Sequence, residues 1–200
     1  MMYPVSFEVS PPARYDRAQV PLRILLMVLL AAFGCTFGWL FFVLYLGLPA
    51  FAVVMIGRQG GPRYLDEVAP RVVDFLRWVI ALYAYLGLLT DRLPTSGREL
   101  GVTLTVAPTG QPTKGSALAR LITSLPGAAV LAILGFVSGL VWIVAAICIL
   151  ANESVPAALY DFQRGVVGWQ ARLFVYHASL VDRVPPLSLE TGPAPADHTT

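Results

Sequence analysis

The sequence predicts a mainly α-helical integral membrane protein, with four transmembrane or membrane-embedded helices arranged as two tandem parallel repeats and a short β-strand at the start of each. Three observations predict it. Hydrophobic residues make up 56% of the 200-residue chain and charged residues only 13%, where soluble domains carry about 25% charged. The apolar residues are gathered into long runs, not scattered as a soluble core requires. Finally, two blocks of sequence recur in the same order, the mark of an internal duplication.

A strand opens the chain. Val5, Phe7 and Val9 alternate with Ser6, Glu8 and Ser10, the period of a half-buried strand. The run 22–56 follows and holds one charged side chain, Arg23. As one helix it would be about 50 Å long, against a hydrocarbon thickness of about 30 Å, so a break is expected, and Gly47 and Pro49 supply one because proline removes a helical donor. Residues 72–90 form a more ambiguous helix carrying Asp74 and Arg77. The second half repeats the order: Val102, Leu104 and Val106 alternate with Thr103 and Thr105, and the run 117–151 contains only Arg120. There, Pro126-Gly127 suggests a short interfacial helix feeding a span from about 128. An ambiguous helix over 157–181 carries Asp161, Arg164, Arg172 and His177. The units are expected at 1–96 and 97–188, with a disordered tail over 189–200.

The duplication rests on two constant offsets. VSFEVSP at 5–11 and VTLTVAP at 102–108 lie 97 residues apart, as do Arg23 and Arg120, and Gly38 and Gly135; Trp78, Tyr85, Asp91, Arg92 and Pro94 lie 91 residues before Trp169, Tyr176, Asp182, Arg183 and Pro185. A unit with two spans returns the chain to its starting side, so both copies share one orientation and the strands emerge on one face, free to pair. Arg14, Arg17, Arg23, Arg92, Arg98, Lys114, Arg120 and Arg183 fall on the side of the termini, and Arg58, Arg63 and Arg71 opposite, which places the termini in the cytoplasm.

Composition narrows the function classes. A net charge of +2 from 14 basic and 12 acidic residues gives no electrostatic case for nucleic acid. Cys35 and Cys148 lie inside apolar runs without ligand neighbours, so they read as small hydrophobes. The polar stretch 1–19, with Glu8 and Asp16, is unlike a cleaved signal peptide. No metal, no cofactor and no catalytic residue is expected, since no nucleophile and base can be paired by spacing.

Four glycines and six polar residues are the candidate sites. Gly34 with Gly38, and Gly135 with Gly139, form GxxxG patterns that suit close helix packing between the units. Asp74 and Arg77, like Asp161 and Arg164, stand three apart on one helical face and suit mutual neutralisation. With Arg172 and His177 they are the candidate intramembrane polar residues. Asp91-Arg92 and Asp182-Arg183 read as solvated charges that end a helix.

Tyr3-Pro4-Val-Ser-Phe-Glu-Val, Leu22-Arg23 and the closing Trp169-Gln-Ala-Arg172, Tyr176 and Asp182-Arg183-Val-Pro185-Pro186 give a chain that resembles a bacterial membrane family catalogued as domain of unknown function 4389, in two tandem copies. The resemblance implies a multi-pass protein of the bacterial inner membrane and no reaction. The first copy departs from the pattern with Leu93-Pro94-Thr95 for the double proline and Ala81 in the place of Arg172.

The expectation is therefore a non-enzymatic accessory or scaffold subunit of a bacterial membrane complex. Its partners would be the lipid bilayer and another membrane protein or a second copy of itself. One alternative is a small channel or transporter with a polar path between the repeats. Another is a lipid-interacting protein with two spans and two interfacial amphipathic helices.

Overall fold

The computed structural model describes residues 3–34, 36–95 and 100–190. Cys35, Arg98 and the tail beyond 190 lie outside the described residues. Strand β1 (Val5–Val9) is followed by α1 (Gln19–Ala32), α2 (Phe37–Gln59), the single turn α3 (Gly61–Arg63), a π-helical turn (Tyr64–Val68) and α4 (Ala69–Leu86). Strand β2 (Val102–Val106) then leads to α5 (Lys114–Thr123), α6 (Leu125–Asn152) and α7 (Ala157–His177). The first half thus holds more than the helical pair the sequence suggested, while the second holds a short helix, a long one and a closing one in the expected order. Two helices, 38–59 and 125–152, are long and apolar enough to cross a membrane.

The first apolar run breaks at Gly34, not at Pro49. Gly34 takes a φ of 73°, which glycine adopts without steric cost, and the Thr36 hydroxyl then caps α2 by accepting from Trp39 N at 3.2 Å. Pro49 stays inside α2. Its missing N–H leaves the Tyr45 carbonyl without its helical donor, and the His177 ring nitrogen Nδ1 fills that vacancy at 2.8 Å. In the second half the short helix and the long one meet at Ser124, just before the expected boundary, with a Thr113–Ser116 capping box starting α5.

The strands pair antiparallel, Val5 with Val106 and Val9 with Val102, about a central Phe7–Leu104 pair. Phe7 and Leu104 face inward and are buried, while Glu8, Thr103 and Thr105 face out and are exposed. The ladder packs on α4 and α7, which pack on each other, and α7 packs in turn against α2 and α6. The molecule is layered: a polar-faced ladder, then α4 and α7, then α2 and α6. Burial follows the layers, with 14 of the 21 residues of α7 buried but only 4 of the 28 in α6.

Helices α4 and α7 run in opposite directions. At one end the Tyr64 hydroxyl, just before α4, donates to the carbonyl of Ala178, just after α7. At the other end Asp91, just after α4, accepts from Asp16 N at 2.9 Å, and the Glu153 carbonyl, just before α7, accepts from Tyr15 N at 3.0 Å. Two spans returning to one side would run the same way, so these helices do not both fit the expected topology. The charge split fails as well. A Cβ on Gly57 would stand 2.7 Å from the Lys114 side chain, and one on Gly61 would stand 2.5 Å from the Pro112 carbonyl. Arg58 and Arg63 therefore sit beside Lys114 and not across the membrane from it.

The ladder's inner pair seals the α4–α7 layer, so Phe7→Ala is expected to cost about 3–5 kcal/mol of stability, whereas Glu8→Ala on the outer face stays within about 0.5 kcal/mol. Thermal or denaturant unfolding of the purified variants in mild detergent checks both.

Candidate functional site

Helices α4 and α7 end alike. Leu88 and Ser179, one residue past each C-cap, take φ of 63° and 58°. Leu89 N bonds back to the Ala84 carbonyl at 2.9 Å and Leu180 N to the Val175 carbonyl at 3.2 Å. These reversals satisfy the last helical carbonyls and turn the chain onto an aspartate.

A buried arginine meets each aspartate. Arg23, fully buried in α1, reaches Asp91 Oδ1 and the Thr90 carbonyl through Nη2, both at 2.7 Å, with its guanidinium 4.5 Å from the Tyr85 ring centre. Arg120 in α5 reaches Asp182 Oδ1 at 2.6 Å and the carbonyls of Tyr176 and Val181, with its guanidinium 4.8 Å from the Tyr176 ring centre. Asp91 and Asp182 are thus anchors, not the solvated stop signals the sequence suggested. The 97-residue match of Arg23 with Arg120 and the 91-residue match of the aspartates carried this information, but neither offset alone joined base to acid.

His177 is fully buried and doubly bonded. Nδ1 donates to the Tyr45 carbonyl, and burial lowers the ring's pKa to about 4, so the ring is neutral and Nε2 accepts from Ser124 Oγ at 2.7 Å. Tyr45 Oη lies 2.8 Å from Ser124 Oγ and 2.9 Å from the Leu121 carbonyl. Serine beside histidine suggests a nucleophile and base, yet both are closed to solvent and a backbone carbonyl stands where an orienting carboxylate would be. The arrangement serves as a tie between α2, the α5–α6 junction and α7. Ser124 and Tyr45 were missed in the sequence because only the helix around Pro49 brings them to His177.

Among the described residues, Arg172 is the one buried arginine without a carboxylate in an ion pair. Its two terminal nitrogens donate to the backbone carbonyls of Ser188 and Glu190. They hold residues 186–190 as a strap folded back along α7, where Leu189 covers Gly165 so closely that a Cβ there would stand 2.7 Å from it. An extended segment has no internal partners for its carbonyls, and the guanidinium supplies them. Ala81 stands at the matched position in α4.

The charged pairs stay at the surface. Asp74 and Arg77 pair at 2.8 Å and Asp161 and Arg164 at 3.1 Å, with both aspartate side chains more than half exposed. The pairs are 87 residues apart, not 91, so they stand a helical turn out of register. No hydrogen bond or ion pair joins one pair to the other among the described residues, and they assemble no polar path between the halves. The glycine pattern also divides: Gly34 lies in the α1–α2 break while Gly38 opens α2. Gly135 and Gly139 share α6, and a Cβ on either would meet nothing within 4 Å. At the N-terminal edge, burial raises the Tyr3 phenol above its ordinary range; it keeps its proton and donates it to the Arg183 carbonyl at 3.1 Å.

Against known proteins, a family profile described as Domain of unknown function (DUF4389) matches residues 114–188, the segment from α5 through the strap. No curated protein and no solved structure matches the chain.

Two outcomes are expected. Asp91→Asn leaves a buried guanidinium unpaired and costs about 3–5 kcal/mol; Asp182→Asn costs less, because Asp182 is more exposed and Arg120 keeps two carbonyl partners. Denaturant unfolding in detergent ranks the two variants. Arg172→Leu should release the strap, seen as amide exchange over 186–190 rising at least tenfold while α7 stays protected.

Proposed function

We propose that this protein is a non-enzymatic membrane protein seated in the lipid bilayer through the outer faces of α1, α2 and α6, with α4, α7 and the ladder forming an interfacial layer above them. The single observation that carries the reading is α6. Its mean hydropathy is 2.7, yet only 17% of its most apolar window is buried inside the protein. Phe136, Leu140, Ile143 and Ile147 are all more than half exposed. A core helix of a soluble protein would be covered; lipid is the solvent that this surface suits. The ladder's exposed Glu8, Thr103 and Thr105 suit water on the opposite side, and the opposed directions of α4 and α7 suit helices lying in the plane of the interface.

The recurrent contacts support reading the halves as tandem copies related by an axis along the membrane normal. Phe7 and Leu104 hold matched positions under the 97-residue offset and are partners in the ladder, so the axis would pass between them. The family match on the second half favours the same family for the first. The role we propose is that of an accessory or scaffold subunit in a bacterial inner membrane. The channel alternative has less support, because the charged pairs sit outside and Arg172 is closed by its strap.

Single cysteines test the seating in native membranes. A membrane-impermeant maleimide should label Glu8→Cys and Thr103→Cys within minutes and leave Phe136→Cys and Leu140→Cys unlabelled until detergent is added. Equal labelling at all four positions would reject it.

A further inference from the structure

The strap leaves two buried donors unmet. Gly165, Trp169 and Arg172 fall on one face of α7, because residues three and four apart stack along a helix. Leu189 covers Gly165 at one end of that face, and the Ser188 and Glu190 carbonyls cover Arg172 at the other. Trp169 lies between them, in one apolar cluster with Leu189. Trp169 and Arg172 are 2% and 6% exposed, yet neither Trp169 Nε1 nor Arg172 Nε has a hydrogen-bond partner. In the first half the matched tryptophan is satisfied: Trp78 Nε1 donates to the Pro94 carbonyl at 3.1 Å. A buried donor left open is unfavourable, and here two stand within one helical turn.

The donor set specifies its complement. Indole and guanidinium N–H groups donate and none of them accepts. The guanidinium also lacks a direct counter-charge: its partners are neutral carbonyls, and the exposed Glu190 carboxylate acts on it only through space. Arg120 and Arg183 add positive charge around the Tyr3 phenol beside it. A buried cation is ordinarily paired with an anion. Phosphate oxygens are strong acceptors, and two of them match the forked edge of a guanidinium. Little holds the strap in their place. Its amides bond within it, Ser188 N to the Pro186 carbonyl at 2.9 Å and Glu190 N to Ser188 Oγ at 3.1 Å. Among the described residues, the two bonds from Arg172 are its only hydrogen bonds to the rest of the protein.

We propose that this face of α7 binds a phosphate group and that the strap is its built-in competitor, lending Arg172 two carbonyls until a phosphate displaces them and takes the Arg172 Nε and Trp169 N–H groups as well. A phospholipid headgroup and free phosphate offer the same oxygens. The binding rests on the strap's contacts; only a lipid source rests on the interfacial seating of α7.

Hydrogen–deuterium exchange of the full chain in maltoside micelles reads the strap directly. Dioleoyl phosphatidate should raise amide exchange over 187–190 saturably and at least tenfold, while dioleoylglycerol, the same chains without the phosphate, leaves it unchanged. Inorganic phosphate acting at the same concentration as phosphatidate would assign the ligand to solution, and action by phosphatidate alone assigns it to lipid. Affinity is read from retention of tritiated phosphatidate on the immobilised protein. Trp169→Phe, which leaves the strap docked in the absence of ligand, should weaken retention at least fivefold. Leu189→Ala loosens the competitor and should tighten it by a similar factor, a gain that a purely structural strap would not give. Exchange indifferent to phosphatidate and phosphate, or raised equally by dioleoylglycerol, would overturn the site, as would Leu189→Ala binding no tighter than the unaltered chain. Failure of the seating would instead appear in the maleimide pattern and leave phosphate-dependent exchange intact.

Discussion

A guanidinium withdrawn from water must be met by an anion, and that requirement governs both ends of this molecule. Arg23 and Arg120 are buried to within a few per cent, and each draws an aspartate and a carbonyl from the segment just past a helix C-terminus. For that to happen α4 and α7 must stop where they do, reverse through a left-handed residue and deliver Asp91 or Asp182 inward. The same reversals set the segments that enter and leave the ladder: Thr109 N bonds the Leu180 carbonyl, and Asp16 N bonds Asp91. Replacing such a pair by matched apolar residues is often neutral or stabilising, so the clamps are better understood as fixing one geometry than as adding net stability.

From that geometry the two-sidedness follows. With the ladder pinned over α4 and α7, those helices are covered on the side where the strands lie, and most of the exposed large apolar side chains lie on α1, α2 and α6. The polar surface and the apolar surface therefore end up on opposite sides of one layer. A protein so divided suits a boundary between lipid and water.

Much of this was legible in the residues, though unevenly. The alternation in 5–9 and 102–106 gave both strands, and equal offsets singled out Arg23 and Arg120 before any coordinate did. The break in the first apolar run was misplaced because proline is the stronger sequence signal; its cost vanished once His177, 128 residues away in the chain, took over the orphaned carbonyl. Direction was misread for a different reason. Hydropathy reports how apolar a segment is, not whether its neighbour runs with it or against it, so the opposed α4 and α7 and the adjacency of Gly57 to Lys114 came only from packing. Asp91 and Asp182 looked solvated because charges beside proline usually are, and nothing local revealed the arginines they meet. The GxxxG at Gly34 failed because a motif written for one helix fell across two.

The central claim is that lipid covers the face carrying Phe136, Leu140, Ile143 and Ile147 while water covers the ladder. Nitroxide spin labels placed singly along α6 and on Glu8 and Thr103, in reconstituted bilayers, measure this directly through collisions with oxygen, which concentrates in lipid, and with a water-soluble nickel chelate. The account predicts high oxygen and low nickel accessibility at the α6 positions, reversed at the two ladder positions. Nickel accessibility at Phe136 and Leu140 equal to that at Glu8 would contradict it.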